Sequence, residues 1–347
     1  MFIIETYTVA VLFCVITMLC WGSWANTQKL AEKTWRFELY YWDYAIGTVL
    51  LALIFGLTLG NAGTEGRSFF EDLAQAEFSS LASAFAGGAI FNFANIMIVA
   101  AISIAGMAVA FPVGIGLALV LGVLINYIAT PYGDPIWLFL GVAMVTGAIV
   151  LSALAHRKNA EEKVKIPVDA PPSDLDGKEK VPAKGIILSV AGGVFMSLFY
   201  FFVARSMSLD FRSPEPGMMT PYAAVFIFTL GLLASNFIFN TFIMKKPIEG
   251  EPVSYKDYFQ GTAKAHITGI LGGMIWCVGM AFSIIAADMA GFAISYGLGQ
   301  GATLVAALWG VFIWKEFKNA PKGTNQYITG MFVLFVAGLS LIIYAGI

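Results

Sequence analysis

The chain has 347 residues, of which 59% are hydrophobic and only 12% charged, about half the roughly 25% expected of a soluble domain. So little charge excludes a water-soluble globule, and a formal net charge of −2 excludes a nucleic-acid partner, which would need a basic face. The composition predicts an all-α integral membrane protein with the lipid bilayer as its solvent.

Taken in order, Thr6 to Asn26 is the first segment of spanning length. It does not read as a signal peptide, because Glu5 stands where a positive flank is needed and the apolar run is too long. Segments of the about 20 residues that a bilayer requires follow at Leu39 to Leu59, Ser80 to Ile102, Met107 to Ile128 and Ile136 to His156. Arg157 to Lys184 breaks the pattern: Pro167, Pro171, Pro172 and Pro182 among acids and lysines read as a solvated linker. Five more segments lie at Gly185 to Ala204, Pro221 to Phe242, Ile267 to Ala286, Phe292 to Trp314 and Ile328 to Gly346.

The stretch Gly87 to Gly116 returns, without a gap, as Gly272 to Gly301. Gly87-Gly88 meets Gly272-Gly273, Ala105-Gly106 meets Ala290-Gly291, and Gly114 and Gly116 meet Gly299 and Gly301. The match predicts an internal duplication, with residues 1–156 and 185–347 as two five-helix repeats joined by the linker 157–184. Five is odd, so the copies are expected to be inverted across the bilayer. Seventeen of the twenty lysines and arginines fall in the linker or in the loops after helices one, seven and nine, leaving Arg67, Arg205 and Arg212 for the other side. The positive-inside rule then predicts a cytoplasmic linker and both termini outside the cell (inner) membrane.

Several stretches carry a family resemblance: GSWAN at Gly22 to Asn26, YWDYAIG at Tyr41 to Gly47, Gly87-Gly88 with Asn92 and Asn95, Asn126-Tyr127, Gly272 to Gly301, and WGVFIWKE at Trp309 to Glu316. In order and spacing they resemble the ureide permease family of the drug/metabolite transporter superfamily, beside the bacterial glucose/ribose and rhamnose porters. The resemblance implies ten helices in two inverted five-helix repeats. It also implies proton-coupled uptake of small polar solutes such as allantoin, uracil or related nucleobases.

Polar groups deep in apolar helices must face one another or a wet cavity, because lipid offers no partner. Trp21, Trp24 and Asn26 suit a ring-shaped neutral solute, with stacking on its faces and hydrogen bonds at its edge; Trp24 reads equally as part of an interfacial aromatic belt. Asn92 and Asn95, three apart, share a helix face and either bind solute or bond neighbouring helices. Phe111 with Pro112, and Tyr296, Gln300 and Thr303 in the second copy, mark the duplicated glycine cluster, where Pro112 is the candidate for a broken helix. Trp276 aligns with Phe91 and closes the cavity from the opposite side or packs the core. Asp43 is the candidate proton carrier; an ion pair with Arg36 or Lys33 is the alternative. Asn236 and Asn240 read as helix-bonding residues, and Asp288 as solvated at the outer face.

No cofactor or metal is expected: Cys14, Cys20 and Cys277 lack paired spacing, and His156 and His266 lie far apart. The absence of a phosphate-binding loop, nucleophile elbow or HExxH pattern leaves no engine for an ATP-driven pump in this chain, and no ATPase subunit is evident. The predicted function is therefore a secondary active transporter for a small neutral polar metabolite, a ureide, nucleobase or sugar, moving with a proton by alternating access. A multidrug or metabolite exporter and a membrane enzyme are the alternatives; the amide pair and the scattering of acids and histidines weigh against them.

Overall fold

The computed structural model describes residues 1–31, 35–164, 183–248 and 250–347; for 107, 108, 111 and 161–164 only the backbone is described. Among these residues ten apolar helical spans are long enough to cross a membrane, as in bilayer hydrocarbon only a helix or a closed barrel pairs every backbone group internally. The first half holds α1 (Tyr7–Ser23) with its short continuation α2 (Asn26–Leu30), α3 (Phe37–Leu57), the surface helix α4 (Phe69–Gln75), α5 (Phe78–Ala105), α6 (Met107–Ala129) and α7 (Pro135–Val164). The second half holds α8 (Ala183–Arg205), α9 (Pro221–Lys245), the surface helix α10 (Tyr255–Phe259), α11 (Ala263–Ala290), α12 (Phe292–Gly299), α13 (Ala302–Leu308) and α14 (Thr324–Tyr344). Leu19, Ile54, Phe237, Ile238, Val333 and Val336 stand exposed on these spans, a surface stable only against lipid. The chain is a multi-pass membrane protein.

Local sequence sets the helix starts. Thr6 caps α1 through Val9 N–H (3.3 Å), Thr262 caps α11 through Ala265 N–H (3.2 Å), and Pro221 opens α9 directly after Thr220. Helix α7 continues to Val164, eight residues into the expected linker; 165–182 lie outside the described residues.

At several aligned positions the two halves share a backbone turn and a close contact. The turn between α5 and α6 places Gly106 at φ +76°, and the turn between α11 and α12 places Gly291 at φ +74°, a conformation that favours glycine. Close helix contacts are exchanged between the halves. Gly47 of α3 lies against the backbone carbonyl of Ile270, and Gly231 of α9 against that of Phe85, the residue aligned with Ile270. Gly88 meets Phe228 of α9, as its aligned partner Gly273 meets Tyr44 of α3. Each half thus lends a helix to the other.

The copies differ along one aligned span. Helix α6 runs unbroken through Pro112, whereas the corresponding span of the second half breaks at Gln300-Gly301, between α12 and α13, and ends in a π turn over Trp309–Ile313. The discontinuity expected at Pro112 therefore lies in the other copy, where Gly299 and Gly301 flank Gln300.

Contacts across loops define two ends. At one, the Met1 amine donates to the Glu65 carbonyl (2.6 Å), Tyr7 to Ile343 O (2.5 Å), and Asp134 N–H to Ala345 O (2.7 Å). This termini end carries Arg67, Arg205 and Arg212; the opposite end carries the lysine-rich loops and is called the basic end.

Candidate functional site

An aromatic cluster assembled from both halves fills the middle of the bundle. Trp21 of α1 stacks on Trp276 of α11 (centroids 5.8 Å, interplanar 13°) and donates from Nε1 to the Trp276 carbonyl (3.2 Å). Trp276 also meets Phe91 of α5 (4.5 Å), Phe228 of α9 (6.0 Å) and Tyr44 of α3 (6.1 Å). Trp24 tilts over Tyr44 at 4.8 Å, and Tyr41 stacks on Tyr44 at 5.1 Å. Phe199 continues the cluster to Tyr200 and Tyr296. Trp21 and Trp24 keep partial exposure while Tyr41, Tyr44 and Trp276 are buried.

The amides pin this cluster. Asn92 donates to Ser235 Oγ (2.8 Å), Leu232 O and Asn236 Oδ1 (both 3.3 Å), all on α9. Asn95, half-buried, donates to the Tyr41 hydroxyl (3.0 Å). Asn236 and Asn240 reach back from α9 to the Tyr41 and Glu38 carbonyls of α3 (3.4 and 2.9 Å). At the far side Tyr200 OH, Ser283 Oγ and Ser295 Oγ lie within 2.9 to 3.2 Å of one another, a buried hydroxyl triangle. Tyr296 donates to Ala118 O (3.1 Å).

With this geometry in view, the profile of the ureide permease family matches residues 40–171 and 173–345. The chain belongs to the ureide permease family. Relatives include "Ureide permease 1" of Arabidopsis thaliana, 23% identical over 99% of this chain and 98% of the relative, and "Ureide permease 4" of the same plant, 22% identical over the same shares. "Probable ureide permease A3" of Vigna unguiculata is 21% identical over 91% of this chain and 97% of its own length. A solved crystal structure superposes with a TM-score of 0.59 at 16% identity, covering 96% of each chain, which speaks to fold alone. A member of a permease family is a transporter, not an enzyme.

In this permease-family chain Asp43 lies apart from the cluster, toward the basic end. It is 1% exposed, and its Oδ1 accepts from the Tyr258 hydroxyl (2.7 Å) and meets His266 Nδ1 (2.8 Å). Arg36 binds Glu38 instead, at 2.5 Å; Lys33 lies outside the described residues. The acid is thus held by a histidine and a phenol, with Trp35 edge-on to His266 at 5.0 Å. Tyr258 arrives on α10, which is capped reciprocally: Ser254 N–H and Oγ both donate to Asp257 (2.7 Å each). Those bonds hold the Asp257 carboxyl below the usual carboxylate range, and burial pushes the Tyr258 phenol up.

Asn26 and Thr303 occupy a second place. Both line a cavity of about 260 Å³ at the basic end, between α1, α7, α13 and α14. There Asn26 accepts from Trp314 Nε1 (2.7 Å), and Lys29 pairs with Glu316 (3.4 Å) at the rim. Gln300 sits half-buried at the break after α12, its carbonyl accepting from Thr303 Oγ1 (2.9 Å). The Phe111 side chain lies outside the described residues. The structure therefore brings together Trp21, Trp24, Asn92, Asn95, Trp276 and Tyr296, and sets Asn26, Thr303 and Asp43 toward the basic end. Sequence reasoning missed Tyr44, Tyr200, Ser283, Ser295, Tyr258 and His266; Tyr44 stood inside the quoted YWDYAIG motif, next to Asp43.

The termini end is tied shut between the halves. Arg67 donates from Nε to Asp72 Oδ1 (2.9 Å) and from its terminal nitrogens to the carbonyls of Pro214 (3.1 Å), Glu215 (3.2 Å) and Met218. Asp72 Oδ2 receives Thr220 N–H (2.7 Å) and Oγ1 (2.8 Å). Asp288, read from sequence as solvated, has a largely buried side chain that faces Arg212 at 3.8 Å. The α8–α9 loop folds over it.

Proposed function

We propose that this chain is a secondary active transporter that carries a small neutral polar solute, with a proton, through the aromatic cluster by alternating access of two inverted repeats. The observation that carries the reading is the cluster itself: stacked indoles and phenols with an amide at the edge, drawn from α1, α3, α5, α8, α9, α11 and α12. Such a site offers stacking faces and uncharged hydrogen-bond partners, the complement of a flat or ring-shaped solute without net charge. Asp43 is held instead by Tyr258 and His266, toward the basic end. The named relatives favour a ureide-type solute over a sugar.

The two ends support the transport cycle. The Arg67–Asp72 tie is the outer barrier, the cavity beside Asn26 and Thr303 is the start of an inward vestibule, and the lysine-rich end faces the cytoplasm of the cell (inner) membrane. Trp21, Trp24, Asn95 and Trp276 contact solute, Gln300 marks the broken helix at the edge of the site, and Asp43 with His266 carries the coupling proton.

The test is uptake into proteoliposomes of labelled allantoin, uracil and glucose, with and without an inward proton gradient. Accumulation of the ureide or the nucleobase, driven by the gradient and reduced by Trp276→Ala, is expected. Uptake of glucose alone, or accumulation indifferent to the gradient, would overturn the substrate class or the coupling respectively.

A further inference from the structure

Tyr44 is at the centre of the aromatic cluster, yet its hydroxyl is buried with no hydrogen-bond partner among the described residues. Its neighbours are different: Tyr41 accepts from Asn95, Tyr200 pairs with Ser283, and Tyr296 donates to Ala118 O. An unpaired buried hydroxyl costs about 1–3 kcal/mol, and native interiors rarely keep one. A phenylalanine would fill the same space without that cost.

Asn92 leaves the complementary atom. The Leu232 carbonyl can only accept, which fixes Nδ2 toward α9 and leaves Oδ1 buried with no donor among the described residues. The Trp276 ring lies 6.1 Å from that of Tyr44 and 4.5 Å from that of Phe91, the residue before Asn92. One orphaned donor and one orphaned acceptor thus lie on α3 and α5, two helices that each set a ring against the same indole.

We propose that the Tyr44 hydroxyl selects the solute by donating to its carbonyl while Asn92 Oδ1 accepts from an N–H of the same molecule, so that the site reads the C=O/N–H edge of a planar amide, imide or urea. The inference rests on the reading that solute enters the aromatic cluster, and it adds the residue that discriminates. A flat urea-like group stacks on an indole face while its edge completes both atoms. A ring-form sugar has no carbonyl to offer and is not planar.

The test is ligand binding to the purified full chain, followed by thermal-shift titration with uracil, with uracil methylated on both ring nitrogens, and with glucose. Wild type is expected to bind uracil, and to bind the dimethylated form at least about tenfold more weakly. Tyr44→Phe is expected to lose about tenfold in uracil affinity while its ligand-free melting temperature holds or rises, because an unpaired hydroxyl has gone. A merely structural tyrosine would not give that opposed pair of changes. Tyr44→Phe binding uracil like wild type, or melting lower without ligand, overturns the inference and leaves the transporter reading standing. Wild type that binds glucose and not uracil, or none of the three, overturns both.

Discussion

Asp72→Ala should open the termini end before it unfolds the protein. Asp72 is fully buried and serves as acceptor for Arg67 Nε, Thr220 N–H and Thr220 Oγ1 at 2.7 to 2.9 Å. Removing one member of a buried pair costs about 3–5 kcal/mol, much of it from the charge left behind. Arg67 keeps 20% of its side chain exposed and retains three carbonyl acceptors, so the lower figure, about 3 kcal/mol, applies. These contacts join α4 of the first half to the loop before α9 of the second, so the loss falls on the closed state. About 3 kcal/mol corresponds to roughly a hundredfold shift toward opening.

The readout is a single cysteine at Ser80, a buried residue whose hydroxyl lies 3.5 Å from the Met218 sulfur, in a background with Cys14, Cys20 and Cys277 replaced. Labelling by a membrane-impermeant maleimide in sealed vesicles should accelerate strongly in Asp72→Ala. It should accelerate less in Asp72→Asn, which keeps an acceptor oxygen and serves if the alanine variant folds poorly. Unchanged labelling in a variant shown to be folded would refute the assignment of this tie as the barrier.

Three further outcomes follow from the same geometry. Asp43→Asn preserves volume but removes the charge facing His266 and Tyr258, so concentrative uptake should vanish while downhill exchange persists; accumulation against a gradient in this variant would sink the coupling role. Gly273→Ala places a methyl against the Tyr44 backbone carbonyl and should cost about 1–3 kcal/mol by overpacking, seen as a lower melting temperature, with Gly88→Ala behaving alike if the halves share this contact. Because the Ser254 bonds lower the Asp257 pKa in the folded chain, its stabilising effect is present above the ordinary carboxylate value and is lost as pH falls through the lowered one; protection of the α10 amides against hydrogen exchange should fall across that window, and Asp257→Asn should flatten the dependence.

Much of this architecture is legible in the sequence because a bilayer restricts the answer. Each span must be long, apolar and internally bonded, and the aligned Gly-Gly pairs at 87 and 272 stand where Gly88 and Gly273 each lie against a backbone carbonyl of the other half. Partners across the bundle are less legible. Asp43 suggested Arg36 by proximity, but Arg36 closes a local pair with Glu38 only two residues away, and the acid's true neighbour is a histidine 223 positions along. Depth alone could mark Asp43; only the crossing of α3 and α11 could supply His266.

The same distinction separates Tyr44 from the residues beside it. In sequence it is one of four aromatic residues within Tyr40 to Tyr44, and a tyrosine in an apolar helix reads as packing. What sets it apart is that Tyr40 finds Thr27 (2.6 Å) and Tyr41 finds Asn95 (3.0 Å), whereas Tyr44 finds no partner among the described residues. An orphaned donor is a property of the assembled fold. It is also the property a binding site needs, because a hydrogen bond satisfied within the protein must be broken before a solute can use it, whereas an unsatisfied one adds its full gain to binding.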